Sequence, residues 1–317
     1  MTVQILAGDC REVLRGLPAE SVQCCVTSPP YFGLRDYGAA GQIGLERTPD
    51  EYVARLVAVF RELRRVLRTD GTLWLNLGDC YATGAGKVGE RPGGGRQGDR
   101  WKGMAPITPA NRLPLPGIKT KDLIGIPWMV AFALRADGWY LRSEIIWDKP
   151  NAMPESVSDR PTKAHEHIFL LTRSEAYYYD ADAIREPHLD KRESKAGDRA
   201  FRGQASIRPR GNFEADSAER YYHPAGRNRR TVWKIPTRPF KGAHFATFPP
   251  KLVEPCILAG SRPGDMVLDP FAGAGTTGLV AHRLGRSFVG IDLNPDYAQM
   301  ARDRIRADAP LLTQGVA

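Results

Sequence analysis

Hydrophobic positions along this chain fall into short apolar runs separated by segments of helical spacing. The runs Val3–Ala7, Val22–Val26 and Thr72–Leu77 each end at a turn or polar residue, as buried strands do. From Leu56 to Leu67 apolar residues recur every three or four positions, which predicts a helix that ends at Asp70-Gly71. Strands that alternate with helices predict an α/β fold with a mostly parallel sheet and helices on both faces.

The last third of the chain repeats this alternation most regularly. Apolar runs at Met266–Leu268 and Phe288–Ile291 predict two further strands, with helical patterns before, between and after them. The middle of the chain predicts a helix at Pro127–Ala136, a strand at Tyr140–Trp147, and an antiparallel pair of strands at His165–Leu171 and Ala176–Tyr179.

Two segments interrupt this regularity. Residues 82–120 are rich in glycine, with Gly93–Gly95 in a row, which predicts a mobile loop or a disordered insertion. From Arg185 to Lys241 the chain holds 15 Lys+Arg against 7 Asp+Glu, a net charge of +8 out of +9 for the whole chain. Arginines are interleaved there with aromatic residues such as Tyr221 and Trp233, a mixture suited to phosphate pairing and base stacking. A solvated tail is the alternative, but regular structure resumes after the segment and favours nucleic-acid contact.

The composition excludes several classes of protein. Hydrophobic residues make up 42% of the chain, yet no apolar run approaches the roughly 20 residues of a membrane span. The first residues lack the charged start and long apolar core of a signal peptide, so we expect a cytoplasmic protein. The five cysteines show no C-x-x-C spacing, which supports neither a disulfide framework nor a zinc site. His165 and His167 have the period of a strand rather than that of a metal site.

The segment Asp269–Thr277 predicts a ligand-binding loop between a strand and a helix. Gly273 and Gly275 would let the backbone approach a ligand. Asp292 follows 17 residues after Gly275 at the end of the next strand, where a carboxylate can pair with ribose hydroxyls. Thr276-Thr277 replaces the third glycine of a dinucleotide loop, which favours a cofactor with an adenosine but no phosphates.

The stretch Val26–Phe32 stands out at the other end of the chain. It follows an apolar run, and the two prolines Pro29 and Pro30 stop the predicted strand abruptly. A polar residue and two aromatic rings therefore lie at a strand's carboxyl end, the edge at which open α/β sheets bind ligands. Taken alone, the stretch also fits a plain strand-ending turn.

Together these segments resemble the motifs of S-adenosylmethionine-dependent DNA amino-methyltransferases. Asp269–Thr277 with Gly290–Tyr297 is similar to the cofactor motifs of that family, and Thr27–Tyr31 to its catalytic (D/N/S)-P-P-(Y/F/W) motif. The order of the motifs resembles that of the permuted β group, and the resemblance covers nearly the whole chain. It implies a circularly permuted, Rossmann-like methyltransferase sheet with an inserted, loop-rich target-recognition region.

The resemblance also divides the chain into three parts. Residues 1–184 would form the catalytic half of the methyltransferase domain, including the loop at 82–120. Residues 185–241 would form the basic target-recognition region, and residues 242–317 the S-adenosylmethionine-binding half.

Site residues follow from the same resemblance, position by position. The catalytic motif comprises Ser28, Pro29, Pro30 and Tyr31. The cofactor would be bound by Asp9 near the adenine, by Asp292 at the ribose, and by Phe248, Pro249, Leu252, Asp269, Phe271, Ala272, Gly273, Gly275, Thr276 and Thr277. DNA would be contacted by Phe32, Lys149, Arg208, Arg210, Arg227, Arg229 and Arg230, and no metal is expected. For Asp9 a helix cap is the alternative interpretation.

The expected chemistry is methylation of a base amine. An exocyclic base nitrogen is a poor nucleophile because its lone pair is delocalised into the ring. The Ser28 hydroxyl and the Pro29 carbonyl can accept its two hydrogens and localise that lone pair, and the rigid prolines supply the positioning. The base would be flipped out of the duplex and stacked on Tyr31. Serine at position 28 favours cytosine N4 by resemblance, with adenine N6 as the alternative.

Other interpretations stay open. A methyltransferase acting on RNA or protein would use the same site, whereas the intact motifs disfavour a non-catalytic DNA-binding protein with a relic site. Methylation at cytosine C5 would need a cysteine nucleophile, and Pro255-Cys256 lies inside a helical pattern, where Cys256 is interpreted as core packing. The expected partner is double-stranded DNA and not a membrane. A homodimer and a separately encoded restriction endonuclease are also compatible with the resemblance.

Overall fold

The computed structural model describes residues 1–34, 39–82, 115, 117–188, 225–237 and 248–308. Within these ranges the strands are β1 (Val3–Ala7), β2 (Val22–Thr27), β3 (Leu67–Leu77), β4 (Tyr140–Asp148), β5 (His165–Thr172), β6 (Val232–Lys234), β7 (Met266–Asp269) and β8 (Ser287–Asp292). The α-helices are α1 (Cys10–Gly16), α2 (Pro49–Val66), α3 (Ile126–Ala136), α4 (Pro250–Gly260), α5 (Thr276–Arg283) and α6 (Pro295–Asp308), and a short 3-10 helix spans Asp182–Ile184.

The strands form one sheet in the order β1-β8-β7-β2-β3-β5-β4-β6. Neighbouring strands run parallel except at β5, which lies antiparallel between β3 and β4. The prediction of a mostly parallel sheet is therefore confirmed. The predicted pairing of His165–Leu171 with Ala176–Tyr179 is wrong, because β3 and β4 occupy both edges of β5 and residues 176–179 form no strand.

The junction between α2 and β3 also differs from the prediction. The Thr48 hydroxyl accepts from the backbone of Glu51 at 3.2 Å and caps α2, and Pro49 occupies its first turn. The helix ends at Val66 rather than at Asp70-Gly71. The strand begins at once because Leu67 pairs with Val22 of β2, and this tertiary pairing overrides the turn signal further along.

Helices cover both faces of the sheet. Alternate residues of β2 point to opposite faces. Cys24 donates to a carbonyl of α4, whereas Cys25 joins the core cluster that α1, α2 and α3 build. On the α4 face, α5 packs against both α4 and α6. Cys256 of α4 is buried there with a reduced thiol, as interpreted from the helical pattern.

The backbone segments just before and just after the glycine-rich stretch, residues 80–82 and 121–124, are hydrogen-bonded to each other. Ala82 donates to the Asp122 carbonyl at 2.9 Å and accepts from Lys121 at 2.6 Å, and Ile124 donates to Cys80 at 3.0 Å. The two segments that flank the glycine-rich stretch therefore lie side by side just beyond β3. Most of the predicted mobile loop, residues 83–114 and 116, lies outside the described residues.

The chain divides into two compact units. The first comprises Met1–Tyr179 and Thr231–Ala317 and contains the sheet; the second comprises Asp180–Arg230. Strand β6 pairs with β4, so the sheet takes up residues 232–234, which the sequence assigned to the basic region. Of that region, residues 189–224 and 238–241 lie outside the described residues.

Candidate active site

The sheet reverses its winding between β7 and β2. From β2 the chain continues to β3 on one side, whereas from β7 it continues to β8 on the other. The loops after these two strands therefore diverge at their carboxyl ends, where open α/β sheets form a ligand crevice. The predicted catalytic segment, Thr27–Phe32, and the predicted cofactor segment, Asp269–Gly275, are these two loops.

A buried carboxylate joins the two loops. Oδ1 of Asp269 accepts from the Thr27 hydroxyl at 2.6 Å, and Oδ2 accepts from the Thr277 hydroxyl at 2.7 Å. The Phe271 N–H also donates to Oδ1, at 3.0 Å. Asp269 is 1% exposed, and this burial raises its pKa to about 6 against the opposing effect of the donors. The protein's own groups thus occupy both oxygens of a residue predicted to line the cofactor.

Helix α2 supports the two prolines of the catalytic loop. The Tyr52 hydroxyl donates to the Pro30 carbonyl at 2.8 Å, and Pro29 is buried. The rings of Phe32 and Tyr52 pack with centroids 5.7 Å apart. Phe32, a predicted DNA contact, is 1% exposed, so the structure places its ring in the core rather than at the surface.

Polar side chains from two strands, β3 and β5, converge on Ser28 and Tyr31. The Asn76 amide of β3 donates to the Tyr31 hydroxyl at 2.9 Å and to the Ser28 hydroxyl at 3.3 Å. The Tyr31 hydroxyl donates to Oε2 of Glu166, on β5, at 2.6 Å. Oε1 of Glu166 forms an ion pair with Lys149, which follows β4 and lies over the Trp147 ring. The result is a connected polar network beside the catalytic motif.

The Tyr31 ring lies directly against the backbone of Gly78. A side chain at position 78 would overlap the Tyr31 ring, so the close approach requires glycine. Burial, together with the neighbouring Glu166 carboxylate, raises the pKa of Tyr31 well above its usual range. The phenol therefore stays protonated at neutral pH and can donate to Glu166.

The cofactor loop is held by its own backbone and by the end of β8. Oδ2 of Asp292 accepts from the Gly273 N–H at 2.9 Å, and Oδ1 accepts from the Asn294 N–H at 2.8 Å. Burial raises the pKa of Asp292, and these two N–H donors oppose the rise. Gly275 has φ of 71° and packs on α6, where an added Cβ would lie 2.8 Å from the Ala301 Cβ. Gly275 is thus needed for its left-handed backbone and for helix packing.

Other predicted cofactor residues surround this loop. Ala272 donates its N–H to Ile291 at 2.8 Å, and the Thr276 hydroxyl accepts from Arg304 at 2.9 Å. Three further predicted cofactor residues lie around the start of α4: Phe248 is half-buried, Pro249 is buried, and Leu252 is buried in the first turn of the helix.

Asp9 lies one residue beyond Gly8, whose N–H donates to the Asp292 carbonyl at 2.9 Å. It therefore lies at the same sheet edge as the cofactor loop. Its carboxylate caps α1 by accepting from the Arg11 N–H at 2.8 Å. The Arg11 guanidinium also binds it and lowers its pKa. Asp9 is thus a helix cap, and its role near the adenine stays a prediction.

Three of the predicted DNA-binding arginines are described, all in the second unit. Glu186 accepts from Arg227 at 3.1 Å and from Arg230 at 2.7 Å, while Arg229 is half-buried. One carboxylate shared by two guanidinium groups leaves net positive charge. Arg208 and Arg210 lie outside the described residues.

Sequence reasoning missed Asn76 and Glu166. Asn76 is a polar residue inside the apolar run of β3, and Glu166 stands between two histidines that were interpreted as strand positions rather than as a metal site. A buried polar residue inside a strand pattern was the available signal, since burial without a partner is costly. No group of three or more metal-ligating side chains occurs in the described ranges. Nor do those ranges include a helix long and apolar enough to cross a membrane.

Comparison with known proteins agrees with this geometry. The DNA methylase family N6_N4_Mtase matches residues 22–303. The chain is 50% identical to the Type II methyltransferase M.Cfr9I of Citrobacter freundii over 96% of this chain and 88% of that protein. It is 48% identical to the Type II methyltransferase M.SmaI of Serratia marcescens, over 95% of this chain and 90% of that protein.

Solved structures show the same architecture. A putative DNA modification methylase from Thermus thermophilus, complexed with S-adenosyl-L-methionine, is 25% identical with a TM-score of 0.58, and the match covers 98% of this chain and 97% of that one. The cytosine-N4-specific PvuII DNA methyltransferase has a TM-score of 0.61 at 19% identity, covering 99% and 94% of the two chains, and supports the fold alone.

The chain belongs to the N6/N4 DNA methylase family, the S-adenosylmethionine-dependent methyltransferases that act on base amines in DNA. The two relatives above are Type II methyltransferases. S-adenosylmethionine is therefore its methyl donor, and DNA its substrate.

Proposed function

We propose that this protein methylates the N4 amine of a flipped-out cytosine at a specific DNA site. The observation that carries the proposal is the Thr27–Asp269 hydrogen bond of 2.6 Å. It joins the loop that bears Ser28 to the cofactor loop at the switch point of the sheet. An amine bound by the first loop would then face a methyl group held by the second.

The structure suits the cofactor at the ribose position. Asp292 is half-buried at a strand end, and each of its oxygens accepts one backbone N–H, which leaves acceptor capacity for two vicinal hydroxyls. When bound, S-adenosylmethionine supplies an electrophilic methyl group on a sulfonium. We assign Asp269 and Thr277 to shaping the loop, because their polar atoms are already bound to each other.

Ser28 and Pro29 are the proposed amine acceptors. In the structure the Ser28 hydroxyl donates to the Tyr31 oxygen at 3.4 Å and accepts from the Asn76 amide at 3.3 Å, so that one lone pair of its oxygen stays available for an amine hydrogen. The Pro29 carbonyl would take the second hydrogen. With both hydrogens held, the nitrogen lone pair is directed out of the ring, while the Tyr31 ring provides the stacking surface for the base.

Cytosine is favoured over adenine by Ser28, since the Ser-Pro-Pro-Tyr form of the motif resembles the N4-cytosine members of the family. The test is mass spectrometry of nucleosides from DNA of an expressing host that lacks other methylation. N4-methylcytosine is the expected product. If N6-methyladenine is the only new nucleoside, the target is adenine N6, and the proposal of cytosine N4 is wrong. Label from tritiated donor appearing only in RNA or protein would refute DNA as the substrate.

We also propose that the basic region reads the target. Its support is the local excess of positive charge, including Arg227, Arg229 and Arg230. Each phosphate neutralised changes the slope of log K against log salt by about 0.9. With one phosphate contact for each arginine, the triple change to glutamine should flatten that slope by about 2.7, whereas Arg142→Gln on β4, an exposed arginine of the sheet, should leave it unchanged. Equal slopes for wild type and triple variant would contradict the assignment.

A further inference from the structure

We propose that Glu166 is a positioning residue that fixes Tyr31 and Lys149 around the target base. The proposal rests on the function proposed above and adds to it a residue outside the catalytic motif. Glu166 would touch neither the cofactor nor the amine. It would set the aromatic and cationic walls of the base pocket before the base arrives.

The topology of the sheet brings the participants together. Strand β5 lies between β3 and β4, with Asn76 opposite Ile168 on one side and Trp147 opposite Glu166 on the other. The Glu166 side chain is 14% exposed and points to the edge where Tyr31 and Lys149 lie. A single carboxylate thus bridges the catalytic loop after β2 and the residue that follows β4.

Both oxygens of Glu166 act as acceptors. Oε2 accepts from the Tyr31 hydroxyl at 2.6 Å and from the Asn76 amide at 2.8 Å, while Oε1 is paired with the Lys149 ammonium. Three donors therefore converge on one side chain. A glutamine has the same shape but only one acceptor oxygen, so its NH2 group would face a donor on one side. Only a carboxylate satisfies this arrangement.

The Tyr31 ring is consequently held at two points. Its hydroxyl end is fixed by Glu166 and Asn76, and the side of the ring that carries Cδ2 and Cε2 lies against Gly78, where no side chain intervenes. The ring belongs to the same loop as Ser28. An error in the ring's position would therefore misplace both the stacking surface and the amine acceptor, and misplacement of reacting groups costs rate. Cofactor binding, which depends on the loop after β7, should be untouched.

The test compares wild type, Glu166→Gln, Tyr31→Phe and the double variant, with Glu144→Gln as matched control. Glu144 is an acid of β4 that binds His167 at 2.7 Å, outside the network. We expect Glu166→Gln to lower kcat for DNA methylation on the order of 10- to 100-fold, the effect of a lost hydrogen bond to a charged group. Binding of S-adenosylmethionine by calorimetry and the melting temperature should match those of Glu144→Gln.

The double variant decides whether Glu166 acts through Tyr31. Non-additive effects, with the double variant no slower than the slower single variant, would support the proposal. An unchanged kcat in Glu166→Gln would overturn the proposal. So would single-variant losses of kcat that multiply in the double variant, or a loss of S-adenosylmethionine affinity in Glu166→Gln as large as its loss of kcat. If instead the wild type labels no DNA base at all, the proposed function fails, and that result is separate from every comparison among the variants.

Discussion

The two loops at the switch point are built in different ways. The cofactor loop after β7 is held mainly by near neighbours in sequence, through Asp269 to Phe271 and Thr277 and through Asp292 to Gly273. The catalytic loop after β2 is held by distant residues, with Asn76 48 positions from Ser28 and Glu166 135 positions from Tyr31. A site for an invariant cofactor can be encoded locally, whereas the pocket for the base depends on the whole sheet.

This difference predicts that chemistry and cofactor binding can be separated, most strongly at Ser28. Ser28→Ala removes one proposed acceptor of an amine hydrogen and leaves the cofactor loop intact. We expect kcat to fall by about 10²- to 10³-fold, the usual cost of a lost polar group aligned with the reacting atoms. Calorimetry should give an unchanged S-adenosylmethionine affinity. A comparable loss of cofactor affinity would mean that the two loops are not separable.

Asp269 belongs to both loops, and its buried carboxyl should make their junction sensitive to pH. Its folded pKa of about 6 lies above the ordinary 3.8, so the folded state binds the proton more tightly than the unfolded chain. This group's contribution to stability is therefore greatest at low pH and declines as pH rises from about 4 to about 6, by on the order of 3 kcal/mol.

Asp269→Asn should remove that decline. The amide oxygen can still accept from Thr27, and the Thr277 hydroxyl can donate to the Val26 carbonyl, 3.3 Å away. Urea unfolding of both proteins between pH 4.5 and 7.5 measures the difference. We expect the variant to gain stability relative to wild type as pH rises. Parallel stability curves would show that Asp269 does not titrate in this range.

A substitution confined to the cofactor site should weaken S-adenosylmethionine binding more than turnover, the reverse of the effect expected at Ser28. Asp292→Ala removes the proposed ribose acceptor and the anchor of the Gly273 N–H. We expect S-adenosylmethionine to bind about 10- to 100-fold more weakly, with turnover at saturating cofactor less affected. Asp296→Ala, an exposed acid in the first turn of α6, is the matched control. Equal affinities in the two variants would exclude the role of Asp292.

The last expected effect is on stability rather than on binding or turnover, and concerns packing beneath the cofactor loop. Gly275→Ala adds a methyl group to a left-handed residue and places it 2.8 Å from the Ala301 Cβ. We expect a loss of stability of about 2–3 kcal/mol, measured by thermal unfolding. Gly264→Ala has a similar φ of 89° with nothing within 4 Å, so it isolates the backbone strain. Equal losses in both variants would mean that α6 yields to the added methyl group.

The same contrast explains which features were predictable from sequence. The strand, loop and helix of the cofactor half, and Asp292 at its end, follow from local patterns and spacing. The position of the Ser28 motif at the end of a strand also follows from a local pattern. Asn76 and Glu166 could not be assigned, because their roles depend on β5 running antiparallel between β3 and β4. The hydrophobic pattern of one strand does not predict which strands it pairs with. The wrong prediction that residues 176–179 pair with β5 has the same cause.

The backbone pairing just beyond β3, between residues 80–82 and 121–124, bears on how the length of this chain can change in evolution. Ala82 is joined to Lys121 and Asp122 by backbone hydrogen bonds, so both ends of the intervening segment are fastened to the fold. For a segment closed in this way, each doubling of length costs only about 0.6 kcal/mol of chain entropy. By this chain-entropy argument, a change in the length of residues 83–114 should cost the sheet little stability. Leu115 is different, because it packs in the core cluster and ties the end of the segment to the sheet.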